Sequence, residues 1–195
     1  HRDNSIYWKG EDMAISNAER VGKALDSLRE GLVPFVEREM ERHYDQDEWL
    51  KKALDCFSKA QKNTLQEKPP RWDTYALLMV MSNQWRLVFE DTLSKNDRSL
   101  VIELQDFRNR RAHEENFSTD DALRALDNVK RLLESVSAPQ AADVARARQE
   151  LMRTLFSEQE RSERRRSSAT SIEGTPDQGL KPWRDSRANG TCRSA

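Results

Sequence analysis

A chain of 195 residues, 36% hydrophobic and 34% charged with only 6 glycines, is long enough for one domain and a tail. Its Leu-, Ala-, Glu- and Arg-rich composition argues for helices and against a sheet protein. The formal net charge of −1 excludes a whole-molecule field that draws in nucleic acid, so any such contact must come from a local patch.

Residues 1–15 read as a flexible N-terminus. Residues 1–12 are polar and carry no apolar stretch, which fits neither a signal nor a transit peptide, and Met13 reads as the natural start. The first helix is expected over 16–29, with Val21, Leu25 and Leu28 on one face and Ser16 and Glu19 at capping-box spacing. Gly31 and Pro34 punctuate it. Pro34 then opens a second helix to about Tyr44, with Phe35, Val36 and Met40 inward. Asp47 is placed to cap a helix carrying Trp49, Leu50, Ala53, Leu54 and Phe57, and residues 62–72 read as a loop broken by Pro69 and Pro70.

Asp73 starts the most hydrophobic helix, which holds Leu77, Leu78, Met81, Trp85, Val88 and Phe89 and runs to Leu93. Leu77, Met81 and Trp85 lie on one face and Val80 and Leu87 on another. A helix apolar on two faces needs more than one packing partner, which points to a homodimer interface near this helix and the helix that carries residues 108–113. The longest apolar run, 76–81, is far too short to cross a bilayer, so no membrane contact is expected. A turn at Ser94, Asn96 and Asp97 precedes a helix expected to begin near Arg98, with Leu100, Leu104 and Phe107 as its core stripe. After a loop over 114–117, Ser118 and Asp121 repeat the capping-box spacing ahead of Ala122, Leu126, Val129 and Leu133. Pro139 begins a last helix running to about Arg161.

No strand alternation and no internal repeat are present. The expected fold is therefore an all-α bundle of four to six helices over 16–161. Residues 162–195 open on Arg164, Arg165 and Arg166 and continue in Ser, Thr and Gly. With few large apolar residues they read as a disordered linker or tail.

The most informative stretch is Arg108-Asn109-Arg110-Arg111-Ala112-His113, charged groups at the end of an otherwise apolar helix. Arginine offers a planar, permanently charged fork for phosphate. Histidine changes protonation near neutral pH. Asn109 lies four residues before His113, on the same helical face. The same string also reads as a solvated helix end, with cations favouring the C-terminal dipole. Asp106, four before Arg110, offers that arginine a structural ion pair.

The segment Ser99-Leu-Val-Ile-Glu-Leu-Gln-Asp-Phe-Arg-Asn-Arg-Arg-Ala-His-Glu, followed by Asn116-Phe-Ser-Thr-Asp-Asp-Ala-Leu-Arg-Ala-Leu-Asp, resembles the HEPN superfamily. Within it, the chain is similar to a bacterial branch related to a yeast nuclear RNA endonuclease of messenger quality control. The resemblance covers about residues 17–155. It implies a four- or five-helix bundle that dimerises and cuts RNA without a metal, often at the N-terminus of a longer ATPase in anti-phage gene clusters. Gly179-Leu-Lys-Pro-Trp-Arg looks like the beginning of that larger protein. The site it implies is catalytic Arg108, Asn109 and His113, with Arg110 and Arg111 touching the RNA backbone. Many relatives carry a further acidic or polar residue on an earlier helix; Glu30, Glu37 and Glu41 are the candidates here.

RNA transesterification needs a base for the 2′-OH and an acid for the 5′-oxygen. Only one histidine lies in the motif, and His43 belongs to a different helix, so a dimer with two motifs facing one cleft would supply both. Trp49, Trp72 and Trp85 are possible base-stacking platforms. Helical spacing favours core packing for Trp49 and Trp85, and Met79 and Met81 read as filler of the core or an interface. No ligand cluster, Gly-rich phosphate loop or Ser-His-Asp set is present, so no metal and no cofactor are expected. Cys56 and Cys192 read as free thiols of a reducing cytoplasm. The expected function is a metal-independent, cytoplasmic endoribonuclease of phage defence. The alternatives are a catalytically silent dimerisation module of a larger defence ATPase and, third, a helical toxin–antitoxin component.

Overall fold

A computed structural model of the chain describes residues 15–45, 48–65 and 72–173, with seven α-helices, one π-helical segment and no strand among them. The chain divides into two compact units, 1–152 and 153–195. Asp47, the expected helix cap, Pro69, Pro70, Cys192 and residues 174–195 lie outside the described residues.

Helix α1, Asn17–His43, is one unbroken helix rather than two. Ser16 caps it by accepting from the Glu19 N–H at 3.1 Å. Pro34 lies inside it and is exposed. An interior proline costs roughly 3 kcal/mol through its missing N–H and its ring clash. Leu28, Leu32, Phe35 and Val36 are buried on either side of the break, and each full burial stabilises by roughly 1.5–3 kcal/mol. Packing on both flanks therefore overrides the local stop signal.

Two short helices follow, α2 (Trp49–Leu54) and α3 (Lys59–Leu65), so part of the expected 62–72 loop is helical. Helix α4, Thr74–Asn83, is capped by Asp73, whose Oδ1 accepts from the Ala76 N–H at 2.8 Å. It runs into a π-helical segment, Trp85–Phe89, closed by the Glu90 N–H on the Trp85 carbonyl at 2.8 Å. The inserted residue lets Trp85, Val88 and Phe89 all face the core.

Helix α5, Lys95–Ala112, begins three residues before the expected Arg98. Ser94 and Asp97, read from sequence as a turn, form its capping box. Asp97 is almost wholly buried, and its side chain also accepts from the Ser135 hydroxyl at 2.7 Å. Helix α6, Thr119–Ser135, carries the expected Ser118–Asp121 capping box and buries Ala122, Leu126, Val129 and Leu133. In the first unit, α1 lies along α4 and α6, and α5 packs against α4 and α6.

The last helix, α7, spans Ala141–Glu173 and so continues past the expected end near Arg161. Val144 and Leu151 are buried. From Arg153 onward the described side chains are mostly exposed. The stretch expected as disordered over 162–173 is helical, and it contains neither of the helix breakers glycine and proline. Glu160 and Arg164 also stand at the favourable i,i+4 spacing.

Candidate functional site

The stretch 108–113 is divided among three faces of α5. At 3.6 residues per turn, Arg108, Arg111 and Ala112 share one face, Asn109 and His113 a second about 100–140° from Arg108, and Arg110 a third.

His113 is the C-cap of α5, and its N–H donates to the Asn109 carbonyl at 3.1 Å. The next two N–H groups close the helix: Glu114 donates to the Arg111 carbonyl at 3.2 Å and Glu115 to the Arg110 carbonyl at 3.1 Å. That pair is a Schellman motif. Its left-handed position holds Glu114, at φ 55°, where glycine is usual. Asn109 and His113 are both exposed, and they continue a ridge with Ile102 and Asp106 at helical spacing.

Arg108 and Arg111 face the other way, into an open cleft of about 340 Å³ that Gly22, Asp26, Asp73 and Thr74 also line. The Arg108 Nη2 donates to Asp73 Oδ2 at 3.2 Å, and its guanidinium lies 4.6 Å from the centre of the Tyr75 ring. Arg111 crosses Gly22 of α1 so closely that a Cβ there would stand 3.3 Å from its Nε. Asp26 and Asp73, the cleft's carboxylates, are residues that sequence reasoning missed. Of the earlier candidates, Glu30 and Glu41 are exposed and do not line the cleft. Glu37 instead accepts from the Trp72 indole at 3.1 Å.

Arg110 is a clasp. Its guanidinium donates to both Asp121 oxygens at 3.2 and 3.1 Å and pairs with Glu115 at 3.3 Å. It also lies 5.6 and 4.8 Å from the Phe107 and Phe117 ring centres. Its acidic partners are thus Asp121 and Glu115, not Asp106, and its donors tie the end of α5 to the cap of α6. The Arg110 guanidinium, aided by the Ser118 N–H, holds the Asp121 carboxyl down at about 2, against an ordinary 3.8.

A carboxyl depressed on folding contributes stability that is complete above its ordinary pKa and disappears as pH falls through the folded value. Arg110→Ala should therefore melt below the wild type by a margin that is largest above pH 3.8 and shrinks toward pH 2. Melting curves at several pH values would show it; a margin independent of pH would mean that the ring contacts, not the ion pair, carry the clasp.

Other expected residues serve the core. Trp72 and Trp85 are buried, and Trp49 is half-buried with its ring centre 6.4 Å from that of Trp72. Neither Trp72 nor Trp85 is available to stack a base. Met81 is buried and Met79 packs against the core. His43 meets Tyr44 edge-on at 4.7 Å. The two apolar faces of α4 and the π-helical segment after it find their partners inside the chain: Leu77, Val80, Met81 and Trp85 are all buried, and of the five residues only Leu87, at 59%, is exposed. The case for a dimer therefore does not rest on this helix. Cys56 is a free thiol. Among the described residues no helix is long and apolar enough to cross a membrane.

No curated protein and no solved structure matches the chain. The Swt1-like HEPN family matches residues 23–137, from α1 to just beyond α6, more than half of the chain. Asp26, Asp73 and the whole 108–113 stretch lie inside that match, and with it the chain belongs to the Swt1-like HEPN family.

Proposed function

We propose that this domain is a metal-independent endoribonuclease whose chemistry is carried by Asn109 and His113, with Arg108 gripping the RNA from the neighbouring cleft. The observation that carries the reading is an exposed imidazole at the end of α5, with an amide one turn before it and a two-arginine cleft on the adjoining face. One imidazole takes the proton from a 2′-OH, and the freed oxygen attacks the adjacent phosphorus. The bond from phosphorus to the 5′-oxygen breaks, and that oxygen leaves with a proton from a second group. The products are a 2′,3′-cyclic phosphate and a 5′-OH. Asn109 orients the imidazole, and its amide is the polar group nearest the scissile phosphate.

The second proton group comes from a second copy. The ridge bearing Asn109 and His113 also exposes Ile102, 53% open to solvent, on the same line of α5. An apolar anchor beside the chemistry suits α5 packing against α5 of a partner, which brings two imidazoles to one strand. We place the domain in the cytoplasm, in phage defence with a fused or associated ATPase. The compartment rests on reading the cysteines as free thiols, and the defence role and the ATPase on the family resemblance.

A competing reading keeps the dimer and omits the chemistry, making the bundle an interaction module of that ATPase. The Arg108–Asp73 ion pair favours it, since a paired arginine is already satisfied. RNA cutting decides between them. Purified protein should cleave single-stranded or transfer RNA in excess chelator and leave 2′,3′-cyclic phosphate ends. Cutting that needs added magnesium, or ends bearing a 3′-OH, would overturn the proposed mechanism.

A further inference from the structure

The arginine cleft and the imidazole are separate places. Arg108 and Arg111 point into the space between α1 and the start of α4, whereas neither Asn109 nor His113 lines it. A helix with its side chains is about 10–12 Å across, more than one phosphate group spans. Arg108 is held in the cleft by Asp73 and Tyr75, and Arg111 lies across Gly22 beside it.

The two arginines also differ in state. Arg108 has a carboxylate partner at 3.2 Å. Arg111 makes no ion pair among the described residues, although Asp26 lines the same cleft. It is exposed. A guanidinium that is accessible and without a carboxylate presents its fork to an anion that has two oxygens to offer.

We infer that the cleft between α1, α4 and α5 is a second phosphate subsite, in which Arg111 leads and Arg108 assists, and that it holds an RNA phosphate other than the one cut at His113. The inference takes its ligand from the nuclease reading, and it assigns that enzyme a requirement for more than one phosphate. Asp73 is the resident competitor: the arriving phosphate takes Arg108 from it. Asp73 keeps its other oxygen on the Ala76 N–H, so the helix cap survives the exchange.

The distinguishing substrates are a dinucleoside monophosphate, whose single phosphate is the scissile one, and a single-stranded RNA of about a dozen nucleotides, which fills both sites. Arg111→Ala should lose far less kcat/KM on the dinucleotide than on the longer RNA. In a His113→Ala background, which removes cutting from the measurement, it should bind the longer RNA about tenfold more weakly, with the slope of log affinity against log salt reduced by about one. Arg111→Lys should recover part of the loss. Asp73→Asn retains a good cap residue but removes the competing charge, and it should bind the longer RNA more tightly.

Affinity and salt slope that do not respond to Arg111→Ala would overturn the subsite. So would an equal loss on the dinucleotide, which would put Arg111 at the scissile phosphate. A protein that binds RNA through Arg111 yet never cuts it would keep the subsite and remove the nuclease reading.

Discussion

His113→Ala is expected to lower RNA cutting by about 10²–10⁴-fold, the usual contribution of a positioned acid–base group, at an unchanged melting temperature. The side chain is exposed at the C-cap of α5, so truncating it opens no core cavity. The hydrogen bonds that close the helix there run through the backbone of residues 113–115, and alanine keeps them. The proposed dimer gives the experiment a second readout. A heterodimer of wild-type and His113→Ala chains holds one imidazole where two are needed. Adding the variant to the wild type should therefore reduce cutting beyond simple dilution once subunits have exchanged. Full cutting by a folded His113→Ala protein would remove this residue from the chemistry and leave the silent interaction module as the better reading.

The part of this site that the sequence made legible is the part built within one helix. Helical spacing is enough to put Asn109 beside His113, and the capping-box spacing of Ser118 and Asp121 was enough to begin α6 at the right place. The same spacing at Ser94 and Asp97 is ambiguous in sequence because Ser, Asn and Asp together also describe a turn; the burial of Asp97 and its bond from Ser135 separate the two. The remainder depends on contacts between distant segments. Asp26 and Asp73 are 47 positions apart and reach one cleft because α1 packs along α4. Arg110 looked like an RNA contact because nothing local shows that Phe117 and Asp121 return to cover it. Gly31 and Pro34 carried a genuine local stop signal, and it was outvoted by tertiary burial on both sides.

The two glycines of α1 make that opposition measurable, with opposite signs. Glycine inside a helix costs roughly 0.5–1 kcal/mol relative to alanine, so propensity alone predicts that both Gly22→Ala and Gly31→Ala stabilise. At Gly22 the nearest obstacle is the Arg111 Nε at 3.3 Å, part of a long, exposed side chain that can shift. Gly22→Ala should raise the melting temperature by a few degrees, at about 2–4 °C per kcal/mol for a chain of this size. At Gly31 a Cβ would stand 2.4 Å from Leu133 Cδ2 and 2.9 Å from the Ala138 Cβ. Neither can yield freely. Leu133 is wholly buried, and Ala138 is tied to it by its N–H on the Leu133 carbonyl at 2.8 Å, in the turn that ends α6. Overpacking of this kind costs about 1–3 kcal/mol even for small additions, which exceeds the propensity gain. Gly31→Ala should lower the melting temperature, and Gly31→Leu should fail to give a folded bundle, because α1 and α6 cannot separate without uncovering Leu28, Leu32 and Leu133. Calorimetry of the three variants would check the signs. A rise at both glycines would show that helix propensity governs α1, and that the approach of Leu133 and Ala138 to Gly31 is looser than the packing indicates.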